Sequence, residues 1–330
     1  MRRRGALWAA AGAAAGAALL LGSRAVTAQA DKQRRIAYLS PSTPGTGAHL
    51  LAQFVLGLRE LGWIEGANLT VDARWGQNDA TRYASLTSEL LALHPDVFVG
   101  STDFVLGPVL AATNTVPIVF IVSNDPVARG LVKSLSRPGG NVTGLTTLDH
   151  ELNPKRLALL KEAIPGLNKV GVFIGSLNVG PYSLSETESA GRNLGLVLVP
   201  AVVDRPEDID AAFEKFAQAG VKGVVDTATG AVTFVARDRV AALAIKHGIA
   251  MFGIPPVADS GVLLSYGANS LALWKRAATL VDRILKGARP AVIPVEQVNV
   301  YELVVNLRTA RALGIELPRS LMMQASRVIH

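Results

Sequence analysis

The chain contains no cysteine. That absence excludes disulfides, thiolate metal sites, a cysteine nucleophile and the lipid-bearing cysteine that tethers some exported proteins, so the chain is expected to be free in its compartment. No Gly-x-Ser-x-Gly elbow, no phosphate loop of the Walker type and no His-Glu-x-x-His pair occurs, which argues against an enzyme. The five histidines, His49, His94, His150, His247 and His330, are scattered without ligand spacing, so no metal is expected. No block of Lys and Arg of the kind that tracks phosphates is present, and nucleic acid is rejected as a partner. Tandem repeats, long linkers and low-complexity tracts are missing beyond the first residues.

Those first residues carry the charge anomaly. Arg2, Arg3 and Arg4 precede an uncharged Ala- and Leu-rich run from Gly5 to Ser23, and Ala28-Gln29-Ala30 stands just before Asp31. This order of basic, apolar and small residues reads as a secretory leader over residues 1–30, cleaved after Ala30. The four arginines it contains account for the fall in net charge from +7 to +3 on its removal. The mature chain is then only mildly basic, and it is long enough to bury one large or two medium cores without disulfides.

From Arg35 the pattern alternates. An apolar run to Ser40 predicts a buried first strand, followed by a turn from Pro41 to Gly47. Leu50, Leu51, Phe54, Leu58 and Leu61 then recur with helical spacing. Further strands are predicted at 69–75, 97–100 and 116–122, with a helix over 80–93 that stops at His94-Pro95. Val97 to Gly100 and Val116 to Val122 are apolar almost throughout, as parallel strands covered on both faces require. The same grammar restarts with a helix over 154–163. Strands follow at 170–174, 196–203, 221–226, 249–254 and 262–266, with helices at 183–194, 206–219 and 234–247 between them. A strongly amphipathic helix spans 270–286, and 295–305 is strand-like.

The expected fold is therefore α/β, with two doubly wound lobes and a ligand cleft between them. Lobe 1 is assigned residues 31–145 with a returning helix at about 268–290, and lobe 2 residues 146–267 with part of 291–330. Ligands of such sheets bind beyond the carboxyl ends of the strands. That rule nominates Ser40, then Ser101, Thr102 and Asp103, then Ser123, Asn124 and Asp125 in lobe 1. In lobe 2 it nominates Ser176, Asn178, Asp226, Thr227 and Tyr266. Hydroxyls, an amide and backbone N–H groups at helix starts can hold a carboxylate, and Asp125 can oppose an ammonium. Asp125 before Pro126 also suits a helix cap, as do Ser101 and Thr102, and Tyr266 can stack on a flat ligand or pack the hinge. Gly45-Thr46-Gly47 is a partial dinucleotide fingerprint with Leu50 in place of the third glycine and Asp72 inside its strand, so no cofactor is expected.

The segment Arg137-Pro138-Gly139-Gly140-Asn141-Val142-Thr143-Gly144 reads as the passage from one lobe to the next. Together with Asn124-Asp125-Pro126-Val127 and Gly130 to Leu135 before it, it resembles the central signature of the ABC-transporter substrate-binding protein family, which includes tryptophan- and tyrosine-binding members. Leu264-Ser265-Tyr266-Gly267, Ile284 to Ala288, Pro294 to Gln297 and Leu303 to Leu313 are similar to its C-terminal pattern. The resemblance implies a type I periplasmic binding fold of the Venus-flytrap kind, two lobes joined by three crossing segments. It further implies a periplasmic monomer without cofactor that closes on a small molecule, here an amino acid, and delivers it to an ABC permease in the membrane. Arg129 stands where the family more often has a small or apolar residue, and Asp226 to Gly230 is smaller in side chain than the family pattern. A secreted ligand sensor and a small-molecule enzyme on the same two-lobed fold are the alternative readings.

Overall fold

A computed structural model describes residues 33–174, 181–226 and 231–330. The chain starts with β1 (Arg34–Ser40), α1 (Pro44–Glu60), β2 (Leu69–Trp75), α2 (Tyr83–Ala92), β3 (Val97–Gly100), α3 (Leu106–Ala112), β4 (Ile118–Ser123) and β5 (Val142–Thr146). It continues with α4 (Asn153–Ala163), β6 (Lys169–Ile174), α5 (Pro181–Asn193), β7 (Val197–Val202), α6 (Asp208–Gln218), β8 (Gly223–Asp226), α7 (Ala231–Val235), α8 (Arg237–Lys246), β9 (Ala250–Gly253) and β10 (Leu264–Ala268). The last elements are α9 (Ser270–Leu285), β11 (Glu296–Gln297), β12 (Tyr301–Asn306), α10 (Leu307–Leu313), α11 (Arg319–Gln324) and β13 (Arg327–Ile329).

Two sheets result. The lobe 1 sheet has the order β11-β5-β4-β3-β1-β2, and the lobe 2 sheet β13-β12-β10-β9-β8-β6-β7. Read from β2 and from β7, five strands of each follow the same doubly wound path, with the order reversing between β1 and β3 and between β6 and β8. All pairings are parallel except β10 with β12. The apolar runs in β1, β3 and β4 are buried on both faces, between α1 and α9 on one side and α2 and α3 on the other. The chain passes between sheets after β5, after β10 and after β11.

Helix α9 packs on lobe 1 although it follows lobe 2 in sequence. Leu273, Ala277, Leu280 and Val281 join Ile36, Phe54 and Leu58 in one core cluster. Close approach to α1 depends on Gly57, where a Cβ would lie 2.9 Å from both the Ala278 Cβ and the Lys275 carbonyl oxygen. Helix α1 begins at Pro44, within the predicted turn, because Thr43 caps it and exchanges a capping box with Thr46. Leu61, predicted on its apolar face, lies beyond the helix end and is exposed.

The signature segment corrects the sequence reading. Residues 137–144 do not lead into lobe 2; they run into β5, whose residues Val142, Thr143 and Gly144 pair with Ile118, Val119 and Phe120 of β4. The segment straps the late chain onto lobe 1: the Gly139 N–H donates to the Ala291 carbonyl at 3.2 Å, and the Thr143 hydroxyl donates to the Ile293 carbonyl at 2.8 Å. The passage to lobe 2 begins only after Thr146.

Candidate ligand-binding site

Strands β5 and β10 both leave their sheets at the carboxyl end, each heading for the other lobe. The carboxyl edges of the two sheets are therefore the edges on which the lobes are joined, and the order reversals in each sheet open on that side. A groove of about 520 Å³ lies at the opposite end of lobe 1, lined by Arg34, Asn114, Gly139, Asn141 and Arg289 among others. It sits beyond the amino ends of the strands, where this fold does not hold ligands, so the carboxyl edges carry the argument.

At the reversal point of lobe 1 stand Ser40 and Ser101, both buried. The Ser40 and Ser42 hydroxyls are 2.8 Å apart. Tyr38, one turn of the pleat below, shares its hydroxyl with Trp274, Ser101 and Ser40, and receives the Trp274 indole N–H at 2.9 Å. Burial pushes the Tyr38 phenol up to about 12 against these hydrogen bonds. Its folded value lies above the ordinary 10.0, so its stabilising contribution is intact below about pH 10 and is lost as the pH rises toward 12. Between those limits the unaltered protein should lose about 2–3 kcal/mol more stability than Tyr38→Phe in urea titrations. Equal losses would show that the phenol keeps its proton no more tightly than in the unfolded chain.

Trp75 closes the outer side of this cluster. Its ring meets Tyr38 edge-on at 6.0 Å, and it comes so near α1 that a Cβ on Gly47 would lie 2.4 Å from it. Half-buried at the end of β2, Trp75 is a candidate that the sequence reading missed. Its position as the last residue of a strand was the available signal.

The next strand ends carry the charge. Asp103 is buried; its Oδ2 accepts the Ser123 hydroxyl at 2.7 Å and lies 3.0 Å from Nε of Arg129. Burial pushes the Asp103 carboxyl up, with Arg129 and Ser123 pulling the other way. The Thr102 hydroxyl oxygen is buried without a hydrogen-bond partner among the described residues. Asp125 caps, but not a helix: the chain after it makes a single turn, in which Asp125 Oδ1 accepts the Ala128 N–H at 2.9 Å and its carbonyl the Arg129 N–H at 3.1 Å. Asn124 turns toward the first crossing, its Oδ1 accepting the Asp149 N–H at 2.6 Å. On lobe 2, Asp226 ends β8 half-buried, whereas Ser176, Asn178 and Thr227 lie outside the described residues.

One comparison decides the family. The sequence pattern of the group described as "ABC transporter substrate binding protein" matches residues 50–329. The chain belongs to that family. A tyrosine-binding protein of Clostridioides difficile (strain R20291) is 26% identical over 273 residues, which span 80% of this chain and 76% of the relative. Among solved structures, a conserved domain protein from Vibrio cholerae O1 biovar eltor is similar at 26% identity and a TM-score of 0.80, covering 90% of this chain and 100% of that one. The ABC domain from Streptococcus pneumonia in complex with L-Trp has the same TM-score of 0.80 and coverage of 90% and 100% at 21% identity, a likeness of fold.

In this substrate-binding protein the crossings are tied together. The first, after β5, is held by Arg156 of α4, which is buried: its Nε donates to the Tyr266 carbonyl at 2.9 Å, and one terminal nitrogen donates to the Asp149 carbonyl and to Asn153 Oδ1. The other terminal nitrogen lies 3.0 Å from Asp149 Oδ1 as an ion pair, without an aligned hydrogen bond. The second and third crossings meet where the Asn269 N–H donates to the Val300 carbonyl at 2.9 Å. The Tyr266 ring lies 5.9 Å from that of Tyr301, in a pocket of about 280 Å³ with Lys155, Leu159 and Leu303. No helix of the described residues is long and apolar enough to cross a membrane, and members of this family are extracytoplasmic.

Proposed function

We propose that this chain is the solute-binding component of an ABC importer, exported by a leader that is removed, and that it holds an amino acid between the carboxyl edges of its two lobes before presenting it to a membrane permease. The single observation that carries this reading is the row of hydroxyl and amide groups at the order reversal of lobe 1, Ser40, Ser101, Thr102, Ser123 and Asn124, on the edge that faces the crossings. The carboxylates there have structural partners: Asp103 holds Ser123 and Arg129, and Asp125 holds a turn. That arrangement favours binding over acid–base chemistry. Trp75 gives the same edge an aromatic wall, and the relatives named for tyrosine and bound to L-Trp support an aromatic amino acid as the ligand. Closure follows from differential affinity, because a ligand touching both edges binds the closed form better and shifts the population toward it.

Thermal unfolding of the chain from residue 31, freed of ligand by unfolding and refolding, tests the reading against a panel of amino acids, organic acids and sugars. A ligand at about a hundred times its Kd adds about 2.7 kcal/mol, a rise of several degrees in Tm. Aromatic amino acids are expected to give that rise. A rise with sugars alone, or with nothing in the panel, would discard the amino-acid ligand.

A further inference from the structure

The pocket of about 280 Å³ lies against the lobe 2 sheet at β10 and β12, away from the order reversal between β6 and β8. Its floor follows from strand register. Tyr266 of β10 pairs with Leu303 of β12, and side chains alternate along a strand, so Tyr266, Leu303 and Tyr301 share one face of the sheet. Helix α4 covers that face, with Leu159 joining Leu303 in one core cluster, and Lys155 stands one turn before Leu159 on the same side of the helix. Gln324 at the end of α11 and Ser326 just before β13 complete the lining. The polar groups of this pocket are only partly used by the fold. Lys155 has neither a hydrogen bond nor an ion pair, and the Tyr266 hydroxyl makes no hydrogen bond, among the described residues. The Ser326 hydroxyl oxygen accepts the Leu303 N–H at 3.3 Å, which leaves its own proton to donate. Negative charge gathers at the Tyr301 end, where burial pushes the phenol up and Tyr266, Glu151 and Asp149 add to the effect. An anion is therefore met by opposite charge at the Lys155 end. An unpaired ammonium beside hydroxyl donors suits a carboxylate, tyrosine rings and leucines suit a flat apolar body, and the volume is near the lower limit of roughly 300–1,000 Å³ for ligand pockets.

We propose that this pocket is a second ligand site, separate from the cleft, and that it takes a small aromatic carboxylate, with Lys155 on the acid group and Tyr266 and Leu303 beneath the ring. The assignment stands whatever the cleft holds. Tyr301 opens β12 directly after the third crossing and donates its hydroxyl to the Val298 carbonyl at 2.8 Å, so an occupant rests against a residue that anchors that crossing.

Methionine-methyl NMR tests both the site and its chemistry on the protein from residue 31, whose methionines are Met251, Met322 and Met323. Met322 packs against the same core cluster as Tyr266, Leu159 and Leu303, whereas Met251 is buried in a different one with Phe173 and Phe213. Phenylacetate should shift the Met322 signal saturably and leave that of Met251 in place. Phenylacetamide and 2-phenylethylamine, which lack the carboxylate, should bind at least about tenfold more weakly. Lys155 is exposed on the first turn of α4, so it can be replaced without disturbing the core. Lys155→Gln should weaken phenylacetate about tenfold and leave the amide unchanged, and Lys155→Arg should keep most of the affinity for the acid. The proposal is overturned if Met322 shows no saturable shift at millimolar phenylacetate, if the three probes bind alike, or if Lys155→Gln binds the acid as tightly as the unaltered protein. A shift confined to Met251 would place the acid elsewhere and overturn it as well.

Discussion

Replacing Arg156 by Met should cost about 3–5 kcal/mol of stability, a fall in Tm on the order of 10 °C. The guanidinium is 1% exposed and the Asp149 side chain 10% exposed, so truncation leaves a carboxylate without its counter-charge in a place water barely reaches. The carbonyls of Asp149 and Tyr266 and the Asn153 side chain lose their donor at the same stroke. Met keeps much of the stem, so the loss reports on charge and hydrogen bonding more than on a cavity. Lys should not rescue it, because a compact ammonium cannot reach partners arranged along a planar fork. Adding Asp149→Leu to Arg156→Met should recover a large part of the loss, since an apolar pair avoids the desolvation of both charges. Urea unfolding of the two single variants and the double variant checks this. A loss below about 1 kcal/mol for Arg156→Met would mean that the pair is open to solvent in the working protein.

Gly144→Ala should be the most damaging of the small changes available in the signature segment. A Cβ there would lie 2.2 Å from the Phe120 carbonyl oxygen and 2.5 Å from its ring. Both atoms belong to the paired strand, and the β4–β5 ladder already changes register between Phe120 and Ser123, so the strand has little room to give. The expected loss is at or above the upper end of the roughly 1–3 kcal/mol usual for overpacking. Gly140→Ala is the internal control: nothing lies within 4 Å of its Cβ position, and the change should stay within about 0.5 kcal/mol. Similar losses at the two positions, measured by chemical denaturation, would refute the steric account of Gly144.

Most strands were legible in the sequence because a strand buried on both faces has to be a short apolar run, as Val97 to Gly100 and Ile118 to Val122 are. Strand β5 was not. Its residues, Val142-Thr143-Gly144-Leu145-Thr146, mix hydroxyls and a glycine with two apolar side chains, and they follow Pro138 and two glycines. The segment therefore read as a linker, although Thr143 is buried through its hydrogen bond to Ile293 and Gly144 through contact with Phe120. The candidate site was legible as a set of strand ends, because doubly wound topology alone places ligands there. Side-chain partnerships were not, since they join residues brought together only by the sheet. Arg156 reads as an ordinary basic residue after Asn153-Pro154-Lys155, yet it is among the most buried side chains of the molecule. Tyr266 could be read from the sequence only as a strand end that either stacks on a ligand or packs the hinge, and its ring partner Tyr301 lies in a strand-like tail with no obvious link to it.

The way α9 and β11 return to lobe 1 sets the order in which the molecule can fold. The Trp274 indole bonds the Tyr38 hydroxyl across 236 positions of chain, the Trp63 indole bonds Asp282 across 219, and Thr143 bonds the Ile293 carbonyl across 150. A nascent chain that has emerged only as far as Thr146 has β1 to β5 but no helix to cover Ile36, Val99 and Ile121 beside α1, so its first lobe lacks a closed core. Contacts of such long range make folding slow. Only β6 to β10 of the lobe 2 sheet lie between the two parts of lobe 1; the sheet is completed by β12 and β13, which follow β11 near the end of the chain. With this wiring neither lobe completes its sheet and core until nearly all of the polypeptide has been synthesised.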